Sequence, residues 1–172
     1  KTMIKANIED ALNNQINAEL YSSYLYLSMS AYFESKSLSG FAKWMAIQSQ
    51  EEYAHAMKFY SYLIQKGGRA KLAKIDEPKA EWKSILDVFE DTYAHEQKVS
   101  ASINAIVDLA LQEKDHATVS FLNWFVTEQV EEEATAQKLV DDLKLIGDNN
   151  NGIFLIDREL GQRVAEAPAE EK

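Results

Sequence analysis

The chain has 172 residues, 46% of them hydrophobic, with 6 glycines and 2 prolines; that is one domain's length and excludes a disordered or loop-dominated chain. Acidic residues outnumber basic ones by 28 to 18, a net charge of −10 that argues against nucleic acid and favours cations as partners. Cysteine is absent, which excludes disulfides, thiolate metal sites and cysteine nucleophiles, and fits a reducing compartment.

No apolar run approaches the roughly 20 residues that span a bilayer. The start, Lys1-Thr2-Met3-Ile4-Lys5, does not lead into a signal-peptide core. The expectation is a cytoplasmic protein with no membrane partner.

Chain breakers are few and clustered, so the chain divides into helix A at about 4–35, B at 40–66, C at 80–112, D at 116–146 and a short E at 153–163. Ser39 can cap B, Asp115 can cap D, and Asn151 or Gly152 can start E. The A–B and C–D links are a few residues each, so those pairs are antiparallel neighbours. The longer link from Gly67 to Lys79 can run the length of the bundle. The expected architecture is all-α: an up-down, crossover, down-up four-helix bundle about 40 Å long with a short fifth helix at the C-terminal end. Residues 1–164 read as one domain, and 165–172, acidic and without periodicity, as a disordered tail.

Each helix carries an apolar stripe at spacings of three and four. Helix A reads Leu12, Ile16, Glu19, Ser23, Tyr26, Ser30, Phe33, and helix B reads Phe41, Met45, Gln48, Glu52, His55, Phe59, Tyr62. Helix C reads Trp82, Leu86, Phe89, Tyr93, Glu96, Ser100, Ile103, Val107. Helix D reads Phe121, Phe125, Glu128, Glu132, Thr135, Leu139, with Gln129 one step round from Glu128. Every stripe is interrupted near its middle by an ionisable residue. Burying an unpaired carboxylate costs several kcal/mol, and these seams contain no Lys or Arg to pair with. A metal ion resolves the conflict.

The spacing is also duplicated. Glu19 to Glu52 and Glu96 to Gln129 are both 33 residues (52 − 19 and 129 − 96). A shift of 77 lays Glu19 on Glu96, Glu51 on Glu128, Glu52 on Gln129 and His55 on Glu132. Two helical hairpins related by a pseudo-two-fold axis would gather these groups at the bundle centre. Glu52 and His55, three apart, share one helix face. Mostly oxygen ligands with one imidazole suit iron or manganese better than a closed zinc site.

These residues resemble non-haem ferritins of bacteria and archaea. The resemblance lies in Gln15-Ile16-Asn17-Ala18-Glu19-Leu20-Tyr21-Ser22-Ser23, Gln50-Glu51-Glu52-Tyr53-Ala54-His55-Ala56, His95-Glu96 and the stretch from Phe121 to Glu133, and extends over about residues 4–162. It implies a ferritin-like bundle and a ferroxidase that oxidises Fe(II) with dioxygen or hydrogen peroxide and stores the ferric product. Glu19, Glu52 and His55 then form a first iron site, and Glu52 and Glu96 with Glu132 nearby a second, with Gln129 as its polar neighbour. Glu51, Glu128 and Glu131 match a third, weaker iron site. Tyr26 and Trp124 resemble aromatics that can supply electrons. The resemblance further implies a homo-oligomeric shell of 24 subunits, with helix E packed at a symmetry axis.

Glu132 stands where a second histidine would complete a rubrerythrin or bacterioferritin centre. Tyr53 occupies the place of a bacterioferritin's haem-ligating Met, so no haem is expected. His95 and His116 fall outside the ligand register and are expected at the surface, Trp124 in the core. The alternative is a ferritin-like di-iron oxidase or peroxidase that stores nothing; it requires an open apolar pocket beside the metals, in the space Tyr26, Phe125 and Trp124 are expected to fill.

Overall fold

A computed structural model describes residues 4–165. The tail expected at 165–172 therefore lies, beyond Ala165, outside the described residues. Five helices follow in order: α1 (Ala6–Ser35), α2 (Ser39–Gln65), α3 (Ile85–Gln112), α4 (His116–Ile146) and α5 (Asn150–Leu160). None is long and apolar enough to cross a membrane.

Side-chain pairings give the helix directions. Ser23 meets Ser49 and Ser30 meets Ala42, so α1 and α2 are antiparallel. Ser102 donates to Gln15, and Thr92 lies against Met29, so α1 and α3 are antiparallel as well. Gln48 reaches Glu132 and Tyr62 reaches Thr118, which makes α2 and α4 antiparallel. The result is the expected up-down, crossover, down-up bundle.

The crossover, residues 66–84, climbs the outside of α1 without regular structure of its own. Its backbone is satisfied by a ladder of α1 side chains. Asn13 donates to Arg69 O at 3.0 Å and accepts from Lys71 N at 2.6 Å, Asn17 donates to Lys74 O at 3.1 Å, Ser28 to Lys79 O at 2.7 Å and Tyr32 to Trp82 O at 3.1 Å. Polar residues on a helix face that looks solvated in the sequence thus serve a strand-like neighbour.

The 77-residue shift holds for the turns too. α1 ends at Ser35 and α3 at Gln112; α2 begins at Ser39 and α4 at His116. Ser37 (φ 59°) and Lys114 (φ 55°), also 77 apart, are the left-handed non-glycine residues of the two hairpin turns. Each turn closes with a bond back across the helix end, Leu38 N to Phe33 O and Asp115 N to Ala110 O.

Several boundaries and one cap differ from expectation, and α5 ends at Leu160 rather than 163. α3 starts at Ile85 rather than 80, because Ser84 caps it by accepting from Asp87 N; Trp82 precedes the helix and is buried from an extended segment. α5 starts at Asn150, capped by Asn149 accepting from Asn151 N and Gly152 N. Ser39 does not cap α2: Asp157 of α5 does so across space, its Oδ1 accepting from Gly40 N at 2.9 Å and Phe41 N at 3.0 Å. Asp115 caps α4 as expected.

The core is split. One apolar cluster, around Phe33, Phe41, Met45 and Phe89, fills one end of the bundle; another, around Ile16, Phe59, Ile103 and Phe125, fills the other. On α3 the buried face turns from Leu86, Tyr93 and Val107 toward Val88, Thr92, Val99 and Ile106. On α4 Gln129 is the buried residue, Glu128 is only partly covered, and Thr135 is exposed. Between the two apolar ends lies a polar layer.

Candidate metal centre

That layer holds Glu19, Glu52, His55, Glu96 and Gln129, all 5% exposed or less, and the partly buried Glu132. Three overlapping groups bring their ligand atoms within 4.8 Å of one another: Glu19, Glu52 and His55; Glu52, Glu96 and Glu132; and His55, Glu128 and Glu132. Glu52 belongs to two of them. Its Oε2 lies 3.5 Å from His55 Nδ1, one turn along α2.

The acids repel their own charge. Burial, reinforced by the Glu52 carboxylate, holds Glu19 well above the usual range. Glu52 is raised by burial and then by Glu96 and Glu132. Glu96 is raised by burial, against hydrogen bonds from Tyr26 and Gln129 that favour its ionised form. Glu132 is pushed up to about 8 by burial and by Glu96. Converging in low dielectric, these acids are biased toward their protonated forms. A multivalent cation would replace those protons. Glu19 Oε2 shows the same want from the other side: it is buried and, among the described residues, without a hydrogen-bond partner. An oxygen-rich donor set with one imidazole fits iron.

The surrounding shell is specific. Gln15 Nε2 donates to Glu19 Oε1 at 2.8 Å, and Gln48 Nε2 to Glu52 Oε1 at 3.3 Å and Glu132 Oε2 at 2.8 Å. Gln129 Nε2 holds Glu96 through its backbone oxygen (3.2 Å) and Oε2 (3.1 Å). Tyr26, fully buried, donates a short hydrogen bond to Glu96 Oε1, and burial and the surrounding carboxylates raise its own pKa well above the usual tyrosine value. Gln15 and Gln48 received no role from the sequence. Their signal was the repeated Gln-x-x-x-Glu step, an amide one turn ahead of each acid.

Other expected positions lie elsewhere. Glu51 is outside the three groups and paired with Arg163, and Glu131 is exposed. Glu128 joins His55 and Glu132 instead. Trp124 is not core: it is 41% exposed, its ring edge-on to His55 at 5.4 Å and covered by the Lys58 ammonium 3.0 Å from its centroid. Phe125 is buried against Phe59 and, with Tyr26, occupies space beside the acids. His116 is exposed as expected, but His95 is not at the surface. It is largely buried between Tyr21 and Tyr26 with its Nε2 2.7 Å from Ser22 Oγ, and burial, aided by Lys98, pushes it down to about 4. It stands outside the three ligand groups, one residue before Glu96 and so about 100° round the helix from it.

The family profile described as Ferritin-like domain matches residues 9–146. The bacterial non-heme ferritin of Bacteroides fragilis is 54% identical over 161 residues, covering 94% of this chain and 100% of the relative. That of Staphylococcus aureus is 40% identical, covering 94% and 97%. Among solved structures, a closed form of the Archaeoglobus fulgidus ferritin engineered by mutagenesis superposes with a TM-score of 0.94 at 49% identity, covering 95% of this chain and 99% of that one. An open pore ferritin from the same archaeon gives 0.93 at 50%, covering 94% and 98%. With the Ferritin-like domain profile matching most of its length and relatives at 54% and 40% identity over nearly the whole chain, the chain belongs to the ferritin family.

Proposed function

We propose that this protein stores iron, oxidising Fe(II) at the buried acids and laying down the ferric product inside a shell of its own copies. The observation that carries the reading is Glu52, shared between two ligand groups that meet at one carboxylate. Glu19, Glu52 and His55 hold one Fe(II); Glu52, Glu96 and Glu132 hold the other, with Glu52 bridging. Each Fe(II) supplies one electron, and dioxygen or hydrogen peroxide accepts the pair.

The protein's own part is electrostatic and protonic. Binding releases protons from the raised acids, so the emptied carboxylates meet the higher charge of the ferric product with negative charge already in place. Gln15, Gln48 and Gln129 donate to the carboxylates and limit their orientations. Tyr26 keeps its proton while donating a hydrogen bond to Glu96, and from this place beside the acids it is the candidate to give an electron. A third ion on Glu51, Glu128 and Glu131 would share Glu51 with Arg163, which suits a transient stop on the way out better than a resident site. Carboxylate ligands release their cargo more readily than thiolates would. The family reading carries with it a cytoplasmic location, a 24-subunit shell and no haem.

The test is Fe(II) oxidation in air by the assembled protein. Glu52→Ala and His55→Ala are each expected to slow it by about tenfold or more; rates equal to wild type would overturn the ferroxidase reading.

A further inference from the structure

The segment after α5 returns to the metal centre. Arg163 lays its guanidinium against the Trp44 ring, 4.4 Å from the centroid. One of its nitrogens donates to Gln48 Oε1 at 2.9 Å and to Trp44 O at 3.3 Å; the other donates to Glu51 Oε2 at 2.5 Å. Gln48 is itself 1% exposed, and its Nε2 donates to Glu132 at 2.8 Å and Glu52 at 3.3 Å. A chain of donors therefore runs from guanidinium to amide to two carboxylates, and one of these is the shared Glu52.

A carboxamide has one accepting end and one donating end, and a guanidinium can only donate. Arg163 thus obliges Gln48 to face it with oxygen and to face the acids with its NH2. Charge on the accepting side also polarises the amide and strengthens its N–H bonds to the carboxylates. Without Arg163 a buried acceptor loses its charged donor, and rotating the amide to find another would take the NH2 off the acids. The fork is held on three sides, by the ring, by Glu51 and by the backbone of Trp44, so the orientation is imposed rather than incidental.

We propose that Arg163 is a positioning residue for the metal centre, orienting the Gln48 amide so that Glu52 and Glu132 stand ready to share metal. The proposal rests on the iron-oxidising reading of that centre. It makes the C-terminal segment part of the site: whatever undocks α5 withdraws Arg163 and frees Gln48.

The experiment titrates Co(II) into the chelator-stripped, assembled protein, followed by calorimetry and by the visible absorption of the bound ion. Arg163→Ala and Gln48→Leu are each expected to weaken Co(II) binding roughly tenfold and to change its spectrum, and the double variant to be no weaker than Gln48→Leu alone. Arg163→Lys keeps a charge over Trp44 without the fork; it is expected to assemble normally and still show the altered spectrum. Wild-type affinity and spectrum in both Arg163 variants, or fully additive losses in the double variant, overturn the proposal. Wild-type protein that takes up no Co(II) overturns the reading of the centre itself, a result distinguishable from the other two.

Discussion

Glu52 and His55 occupy neighbouring turns of one helix, yet their environments differ less than their chemistry. Both are buried, both face other acids, and the carboxylates answer by holding protons. A measurable consequence follows for the metal-free protein. Glu132 titrates near 8 when folded against an ordinary value of 4.5, and Glu19, Glu52 and Glu96 are shifted the same way. The folded state therefore binds more protons than the unfolded one, and its stability falls as pH rises through this window. His95, at about 4 against 6.5, acts in the opposite sense, but only below its ordinary value. Between about pH 6.5 and 8 the acids act without it. Thermal unfolding in chelator is expected to show the melting temperature falling over that interval, with Glu132→Gln flattening the fall. A melting temperature that rose from 6.5 to 8 in the metal-free wild type would contradict the burial of these acids as protonated groups. The ligand acids were legible because burying charge has a large, sequence-visible cost. Arg163 was not, since an arginine near the surface makes no such demand and gains its role only from what lies opposite; Gln15 and Gln48 left only the weaker signal of the Gln-x-x-x-Glu step.

Helix ends show the same division between local and distant causes. Asp115 and Ser84 cap their own helices, and such caps are local signals, although the apolar stripe by itself points to a start for α3 ahead of Ser84. The start of α2 depends instead on Asp157, more than a hundred residues away. Gly40 makes this possible: a Cβ there would lie 1.6 Å from the Asp157 carbonyl oxygen, so only glycine lets α5 approach. Asp157→Ala is expected to lower stability by about 1 kcal/mol, the usual worth of an N-cap, measured by denaturant unfolding of the assembled protein. Gly40→Ala is expected to be the more damaging change, because α5 must move away bodily; limited proteolysis should then cut near α5 while α1 to α4 stay protected. Equal resistance in Gly40→Ala and wild type would count against the close approach.

At the scale of the molecule, apolar surface remains uncovered on the single chain. Tyr24 and Leu27 on α1 are each about half exposed, Phe154 and Leu155 on α5 are 59% and 66% exposed, and Leu72 of the crossover is 71% exposed. Large apolar side chains left exposed on several elements suit interfaces between copies, in line with the proposed shell. Gel filtration is expected to show a very large assembly, and Leu27→Asp to break it into small species that still bind Co(II). A wild-type protein eluting as a monomer or dimer would favour the non-storing oxidase.

Of the architecture, the four-helix plan, the long crossover and the shared set of acids on four helices were determined by the amino-acid sequence alone. Periodicity, breakers and the cost of buried charge are local or one-dimensional signals, and the 77-residue repeat carried them from one hairpin to the other. Tertiary structure alone decided how far the buried face of α3 turns, that His95 packs between tyrosines, and that Arg163 and Asp157 reach back to α2. Those are contacts between residues far apart in the chain, set by how whole helices rotate and dock, and no spacing along a single helix encodes them.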